Sequence, residues 1–129
     1  MSNLYNVMET LKYRGKVVKV YEGTVLATGN NNGVDEIDVL GFKEATFFIY
    51  ASALTDTGAQ SATITVQSKN PDPLLDVYTD LVAFTAITAV PASEKKAVTA
   101  NLGSLLSIKW VLTDISSFTF SVYAVLKVV

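Results

Sequence analysis

The stretch Ser117-Phe-Thr-Phe-Ser-Val-Tyr-Ala-Val-Leu-Lys-Val128 decides the fold class. Its even positions, Phe118, Phe120, Val122, Ala124, Leu126 and Val128, are all apolar. Its odd positions open with Ser117, Thr119 and Ser121. Strict alternation gives one oily and one hydroxylated face, which is the signature of a half-buried β-strand. Just upstream, residues 105–113 repeat the pattern, with Leu106, Ile108, Trp110 and Leu112 against Ser107, Lys109 and Thr113. Residues 61–68 set Ala62, Ile64 and Val66 against Thr63, Thr65 and Gln67.

The same period runs through the rest of the chain. Residues 16–27 are rich in β-branched side chains, with Gly23 the expected bend or bulge. Residues 34–40, 45–53, 79–88 and 95–102 complete a set of about eight strands. Turn chemistry separates them at 29–33, 55–58, 70–73, 90–91 and 113–116. Short strands at such spacing predict an all-β, antiparallel β-sandwich of jelly-roll type. Residues 15–129 are expected to form its single domain. Residues 1–14 stand outside the strand pattern as an N-terminal arm or short helix. There Leu4, Val7, Met8 and Leu11 follow helical i, i+3, i+4, i+7 spacing.

A chain of 129 residues that is 50% hydrophobic and 17% charged can bury a core and is not a disordered polymer. It has no Cys, hence no disulfide, thiolate nucleophile or thiolate metal site. It has no His, which removes imidazole acid–base work and His-ligated metals. Ten Lys and Arg face twelve Asp and Glu, and Arg14 is the lone arginine, so no nucleic-acid partner is expected. No apolar run reaches the ~18 residues a transmembrane helix needs, and the first ten residues do not read as a signal peptide. A protein made and kept in the cytoplasm until it assembles, with no membrane partner, is expected.

Two acidic series are candidate chemistry. Asp35, Glu36 and Asp38 flank the Asn30-Asn-Asn32 loop, as oxygen ligands of a hard cation would. Their spacing is not that of a calcium loop, and alternation puts Asp35 and Glu36 on opposite faces. Asp72, Asp76 and Asp80 could supply the carboxylate pair of a glycosidase, but nothing in the sequence sets their separation. Gly29-Asn-Asn-Asn-Gly33 lacks the Lys-Ser/Thr of a phosphate loop. The expectation is therefore no enzyme, no metal and no cofactor. Lys95-Lys96 reads as a solvated guard on a sheet edge.

The aromatic residues say more. In residues 45–53, Phe47 and Ile49 share one face and Phe48 and Tyr50 the other. One pair lines the core, and the other needs cover from the chain itself or from another subunit. Trp110, on the oily face of its strand, is expected in the core. Mean hydropathy is +0.35, high for a chain this small, so a symmetric oligomer is expected to cover the surplus.

Three segments resemble small structural proteins of tailed bacteriophages. They are Ser61-Ala-Thr-Ile-Thr-Val-Gln-Ser-Lys-Asn-Pro-Asp-Pro73, Asp76-Val-Tyr-Thr-Asp-Leu-Val-Ala-Phe-Thr-Ala-Ile-Thr88, and the closing pair 105–113 and Ser116-Ser-Phe-Thr-Phe-Ser-Val-Tyr123. This chain has Ile108-Lys109 where Arg is common in that group, and Ile115-Ser116 where Ser-Pro is common. The resemblance implies a β-sandwich virion protein on the capsid surface, assembled in the host cytoplasm. It implies a capsid decoration or cementing role, with the major capsid protein as partner and a homotrimer at a three-fold site. The expected protomer or capsid contact is Phe48 and Tyr50, together with Leu4, Tyr5, Val7, Met8 and Leu11 of the arm. The alternative is a carbohydrate- or receptor-binding module of a phage tail. Solvent-facing Tyr50, Tyr78, Trp110 and Tyr123 would favour that alternative.

Overall fold

The computed structural model describes residues 15–72, 74–99 and 102–128. Seven strands follow in chain order: β1 (Lys16–Val25), β2 (Gly29–Asn30), β3 (Ile37–Asp38), β4 (Glu44–Lys69), β5 (Tyr78–Ala83), β6 (Ala92–Val98) and β7 (Leu105–Lys127). Every pairing is antiparallel. The frame is one long ladder between β4 and β7, from Glu44↔Lys127 to Ser68↔Leu106.

That ladder bends at its middle. The register shifts between Ala51 and Ala53, Thr55 and Asp56, and Asp56 and Ser61. Residues 57–60 stand opposite Asp114 alone, because Asp56 pairs Ile115 and Ser61 pairs Thr113. Bulges of this kind let a strand leave one layer and continue in the next. The front layer runs β6-β4-β7-β1 and uses residues 44–51 of β4 and 120–127 of β7. The back layer uses residues 61–69 and 105–113, edged by β5 on one side and by β2 and β3 on the other. The result is an antiparallel β-sandwich of jelly-roll type.

The core is the set of inward positions that alternation marks. Phe47, Ile49, Phe120 and Val122 from the front, with Phe118 near the bend, meet Ile64, Val66, Leu106, Ile108 and Trp110 from the back, all buried. The indole of Trp110 crosses between layers, 6.3 Å from the Phe120 ring and 5.1 Å from Tyr21. Its Nε1–H donates to the Ala27 carbonyl at 2.8 Å, so the buried ring leaves no unpaired donor.

Several elements depart from the sequence expectation. The predicted turns at 55–58 and 113–116 are not chain reversals. They face each other at the corner of the long ladder, where Asp114 takes a φ of 52° and Ile115 is buried. The bulge in β1 lies between Lys19 and Tyr21, not at Gly23, which pairs Phe120 in register. The shift lets Val20 and Tyr21 both turn inward, and Tyr21 stacks on Phe120 at 5.1 Å. Of residues 34–40 only Ile37–Asp38 forms strand, while Val39 plugs the core with its N–H on the Ser104 carbonyl. The strand expected at 95–102 begins earlier, at Ala92, and Leu102 instead packs into the core. The one expected at 79–88 ends at Ala83, after which Phe84 and Ile87 insert as buried anchors.

The proposed arm, with Leu4, Tyr5, Val7, Met8 and Leu11, lies outside the described residues.

Candidate functional site: an exposed aromatic face

The two layers treat their outer faces differently. On the back layer part of the outer face expected to meet water is covered, while Val111, 44% exposed, and Thr113 stay open. Thr65, Gln67 and Ser107 are buried, Ser107 completely. Side chains from the 30–32 loop and from the neighbouring edge strand β5 bond to Ser107 and Gln67. Ser107 Oγ–H donates to Asn32 Oδ1 at 2.7 Å, and the Ile108 N–H donates to Asn31 Oδ1 at 2.7 Å. Gln67 Nε2–H donates to Asp80 Oδ1 at 3.2 Å, and the Lys109 ammonium reaches the same carboxylate at 2.9 Å. Alternation marks these positions as outward, but cover by the chain's own loop carries no period in sequence.

The front layer's outer face has no such cover among the described residues. Cross-strand partners share a face, so the register writes it out in rows. Ala97, Thr46, Val125 and Val17 form one row. Lys95, Phe48, Tyr123 and Lys19 form the next, and Ser93, Tyr50, Ser121 and Glu22 the third. Phe48 is 40% exposed, Tyr50 52%, Tyr123 40% and Val17 70%. Phe48, Tyr50 and Tyr123 line a shallow groove of about 390 Å³ with Ser93, Glu94, Lys95 and Ser121. At its rim the Glu94 carboxylate accepts the Thr85 N–H at 2.9 Å. Hydrogen bonding from the Thr85 side chain first and then from its N–H, aided by the Lys96 charge, holds the Glu94 carboxyl below its ordinary range.

Phe48 and Tyr50, singled out from sequence, are thus brought together on an open surface. Tyr123 belongs with them. Its odd position beside Ser121 marks it as outward in the sequence, but only the register shows that it stands opposite Phe48. Of the four aromatics that bear on sugar binding, Tyr50 and Tyr123 face solvent, Tyr78 is half-buried and Trp110 is core.

The acidic series do other work. Asp38 Oδ1 accepts the Leu40 N–H, and Asp72 Oδ1 accepts the Leu74 N–H, both at 2.9 Å. Asp76 pairs with Lys69 at 3.3 Å, and Asp80 with Lys109. The bonds from Lys109 and Gln67 hold the Asp80 carboxyl below the usual carboxylate range. Glu36 lies beside the Tyr78 hydroxyl. Burial first, and then that carboxylate and Asp76, push the phenol up to about 12. Among the described residues no three Asp or Glu gather as a metal-binding group. No helix there is long and apolar enough to cross a membrane.

No protein-family model matches the sequence, and no curated protein matches it. Solved structures share the fold. The chain is similar to the PBSX exported protein XepA, with a TM-score of 0.58, 13% identity and 88% of this chain covered. It spans 37% of that protein's length. It is also similar to the CBM22-1–GH10 modules of Clostridium thermocellum xylanase 10B, with a TM-score of 0.49, 12% identity, and 84% of this chain and 28% of that one covered. A third likeness is to the T13 particle of IBDV, at a TM-score of 0.38, 10% identity, and 90% and 27% coverage. At 13% identity the likeness to XepA concerns the fold alone.

Proposed function

We propose that this chain is a bacteriophage virion structural protein of the decoration or cementing kind, and that it binds the assembled shell through its front face. The observation that carries this reading is the unequal cover of the two outer faces. The chain covers part of its back layer with its own loop and leaves three aromatic side chains, Phe48, Tyr50 and Tyr123, and Val17 exposed side by side on the front. Exposed aromatic residues rimmed by charges, here Lys19, Lys95 and Glu22, are the composition of a protein–protein contact. The sequence segments that resemble phage structural proteins support the same reading, and the β-sandwich is compatible with it.

The mechanism needs no reaction. A protein that binds the intact shell and touches two or more major capsid subunits stabilises that shell, by the rule that a ligand of one state favours that state. A homotrimer on a three-fold site multiplies a weak contact through effective concentration. In the test, the purified protein is added to expanded capsids of its own phage prepared without it, and the temperature of shell rupture is measured. A rise that saturates at a fixed copy number per shell is expected. No change at saturating protein contradicts the reading.

One observation favours a second reading, a carbohydrate- or receptor-binding module of a phage tail. Tyr50 and Tyr123 present rings beside the hydroxyls of Ser93 and Ser121, which is how a sugar is stacked and hydrogen-bonded. Retardation of the protein in gels containing host polysaccharide, abolished by Tyr50→Ala, would select it.

A further inference from the structure

The loop over the back layer carries the one asparagine of the chain that precedes a glycine, Asn32 before Gly33. With no side chain on the following residue, the next backbone nitrogen meets little steric hindrance in approaching the asparagine side chain. The pair occupies the centre of a turn, closed by the Val34 N–H on the Asn31 carbonyl at 2.9 Å. Gly33 is exposed at a φ of 79°, and a Cβ there would meet nothing within 4 Å. Its peptide is open to water, and no packing resists a change of torsion.

The Asn32 side chain is held from the other side. Its Oδ1 accepts the Ser107 Oγ–H at 2.7 Å, and Ser107 is fully buried. A hydroxyl fixed in a dry place beside an amide oxygen stabilises most when that oxygen gains negative charge. Asn31 Oδ1 has a donor too, the Ile108 N–H, but Asn31 precedes Asn32 rather than glycine. Asn70 precedes a proline, which has no N–H. A base also stands near. The Tyr78 hydroxyl lies close to both the Gly33 N–H and the Glu36 carboxylate. Glu36 Oε2 is buried and has no hydrogen-bond donor among the described residues, which leaves it open to a proton.

We propose that Asn32 deamidates itself in the folded protein, with the Gly33 nitrogen as nucleophile, Glu36 as base and Ser107 as donor to the developing oxyanion. The nitrogen adds to Asn32 Cγ. Its proton passes to the Tyr78 oxygen as the phenol gives its own to Glu36. The Cγ–Nδ2 bond then breaks, and ammonia leaves with a proton taken from water; Glu36 returns its proton to the hydroxide so formed. A five-membered imide remains. Water opens it at Cγ, which gives an aspartyl residue at position 32, or at the main-chain carbonyl, which gives the isoaspartyl form. Either product adds a negative charge to a loop that already holds Asp35 and Glu36. The isoaspartyl form also lengthens the backbone by one carbon beside Asn31, whose N–H and Oδ1 tie the loop to Ile108 at 3.1 and 2.7 Å. The cover of the back layer thus changes as the protein ages. The proposal goes beyond the attachment role and does not rest on it, since none of these residues lines the aromatic groove.

The test incubates the purified protein at neutral pH and maps its peptides by mass spectrometry. Deamidation raises the mass by one unit, and chromatography separates the aspartyl and isoaspartyl peptides. The gain is expected at position 32 and not at Asn30, Asn31 or Asn70. It should form at least about tenfold faster in the folded chain than in the same chain unfolded in guanidinium chloride at the same pH. Ser107→Ala and Glu36→Gln should each slow the folded reaction by about tenfold and leave the unfolded rate unchanged. Far-UV circular dichroism checks that the variants fold, and if one does not, the folded and unfolded rates of the unsubstituted chain decide. A folded rate equal to or below the unfolded one would overturn the proposal, as would an unchanged folded rate in either folded variant.

Discussion

At the scale of single residues the two faces of β4 and β7 make opposite demands. Phe120 is buried among Tyr21, Trp110 and Phe118, with ring centroids 5.1 to 6.3 Å away. Removing its ring leaves a cavity between packed rings that cannot close. Phe120→Ala should cost about 3–5 kcal/mol in denaturant unfolding, and a cost below about 1 kcal/mol would put Phe120 outside the core. The ionisable residues add a pH dependence. Asp80 and Glu94 hold their carboxyls below the ordinary range. Their contribution is complete above the unfolded carboxylate pKa and is lost as pH falls through the lower folded values. Asp80→Asn with Glu94→Gln should therefore flatten the acid limb of the melting temperature. Tyr78 acts at the other end. Its pKa is raised from 10.0 to about 12, so its contribution is complete below 10.0 and fades as pH climbs to about 12. Tyr78→Phe should flatten the alkaline limb between those values, as followed by circular dichroism.

At the scale of elements the corner of the β4–β7 ladder is the feature that shapes the molecule. Asp114 holds a φ of 52° there, a left-handed conformation that Asp tolerates and a β-branched residue resists. Asp114→Val should destabilise the fold by about 1–2 kcal/mol, with Asp114→Gly near neutral. Equal effects of the two, measured by urea unfolding, would show that the backbone at the corner is not under this constraint. The corner also shows what the sequence could and could not express. Alternation at 61–68, 105–113 and 117–128 named the core side chains, because burial on one face of a strand has a period of two. Asp, Gly and Ser at 55–58 and 113–116 signalled a break in regular geometry. Those residues serve a reversal or a bulge equally well, and only the pairing of Asp56 with Ile115 distinguishes them. In β1 the same limit applies. Gly23 drew attention as a breaker, while the bulge fell at Val20, where two consecutive side chains were both needed inside.

At the scale of the whole molecule the argument turns on cover. The polar outer face of the back layer is covered in part by Asn31, Asn32 and β5, with Val111 and Thr113 left exposed, whereas the aromatic outer face of the front layer stands open among the described residues. Phe48 and Tyr50 were legible as an unpartnered pair, since a strand apolar on both faces must cover each of them. Tyr123 completes the surface only through the register, which joins positions 75 residues apart. Such a surface favours self-association as well as docking. Sedimentation velocity should show the protein as an oligomer at micromolar concentration, with a trimer the expected species. Phe48→Asp with Tyr50→Asp should shift it to monomer while its far-UV circular dichroism stays that of the folded unsubstituted protein, because neither side chain belongs to the core. A monomeric unsubstituted protein would remove the trimer and leave the attachment face to be tested separately. That test is co-sedimentation with expanded capsids of the same phage that lack the protein, comparing the unsubstituted chain with Phe48→Asp, Tyr50→Asp and Tyr123→Asp. The account predicts saturable binding that each substitution weakens by about tenfold or more, while binding unchanged in all three would contradict it.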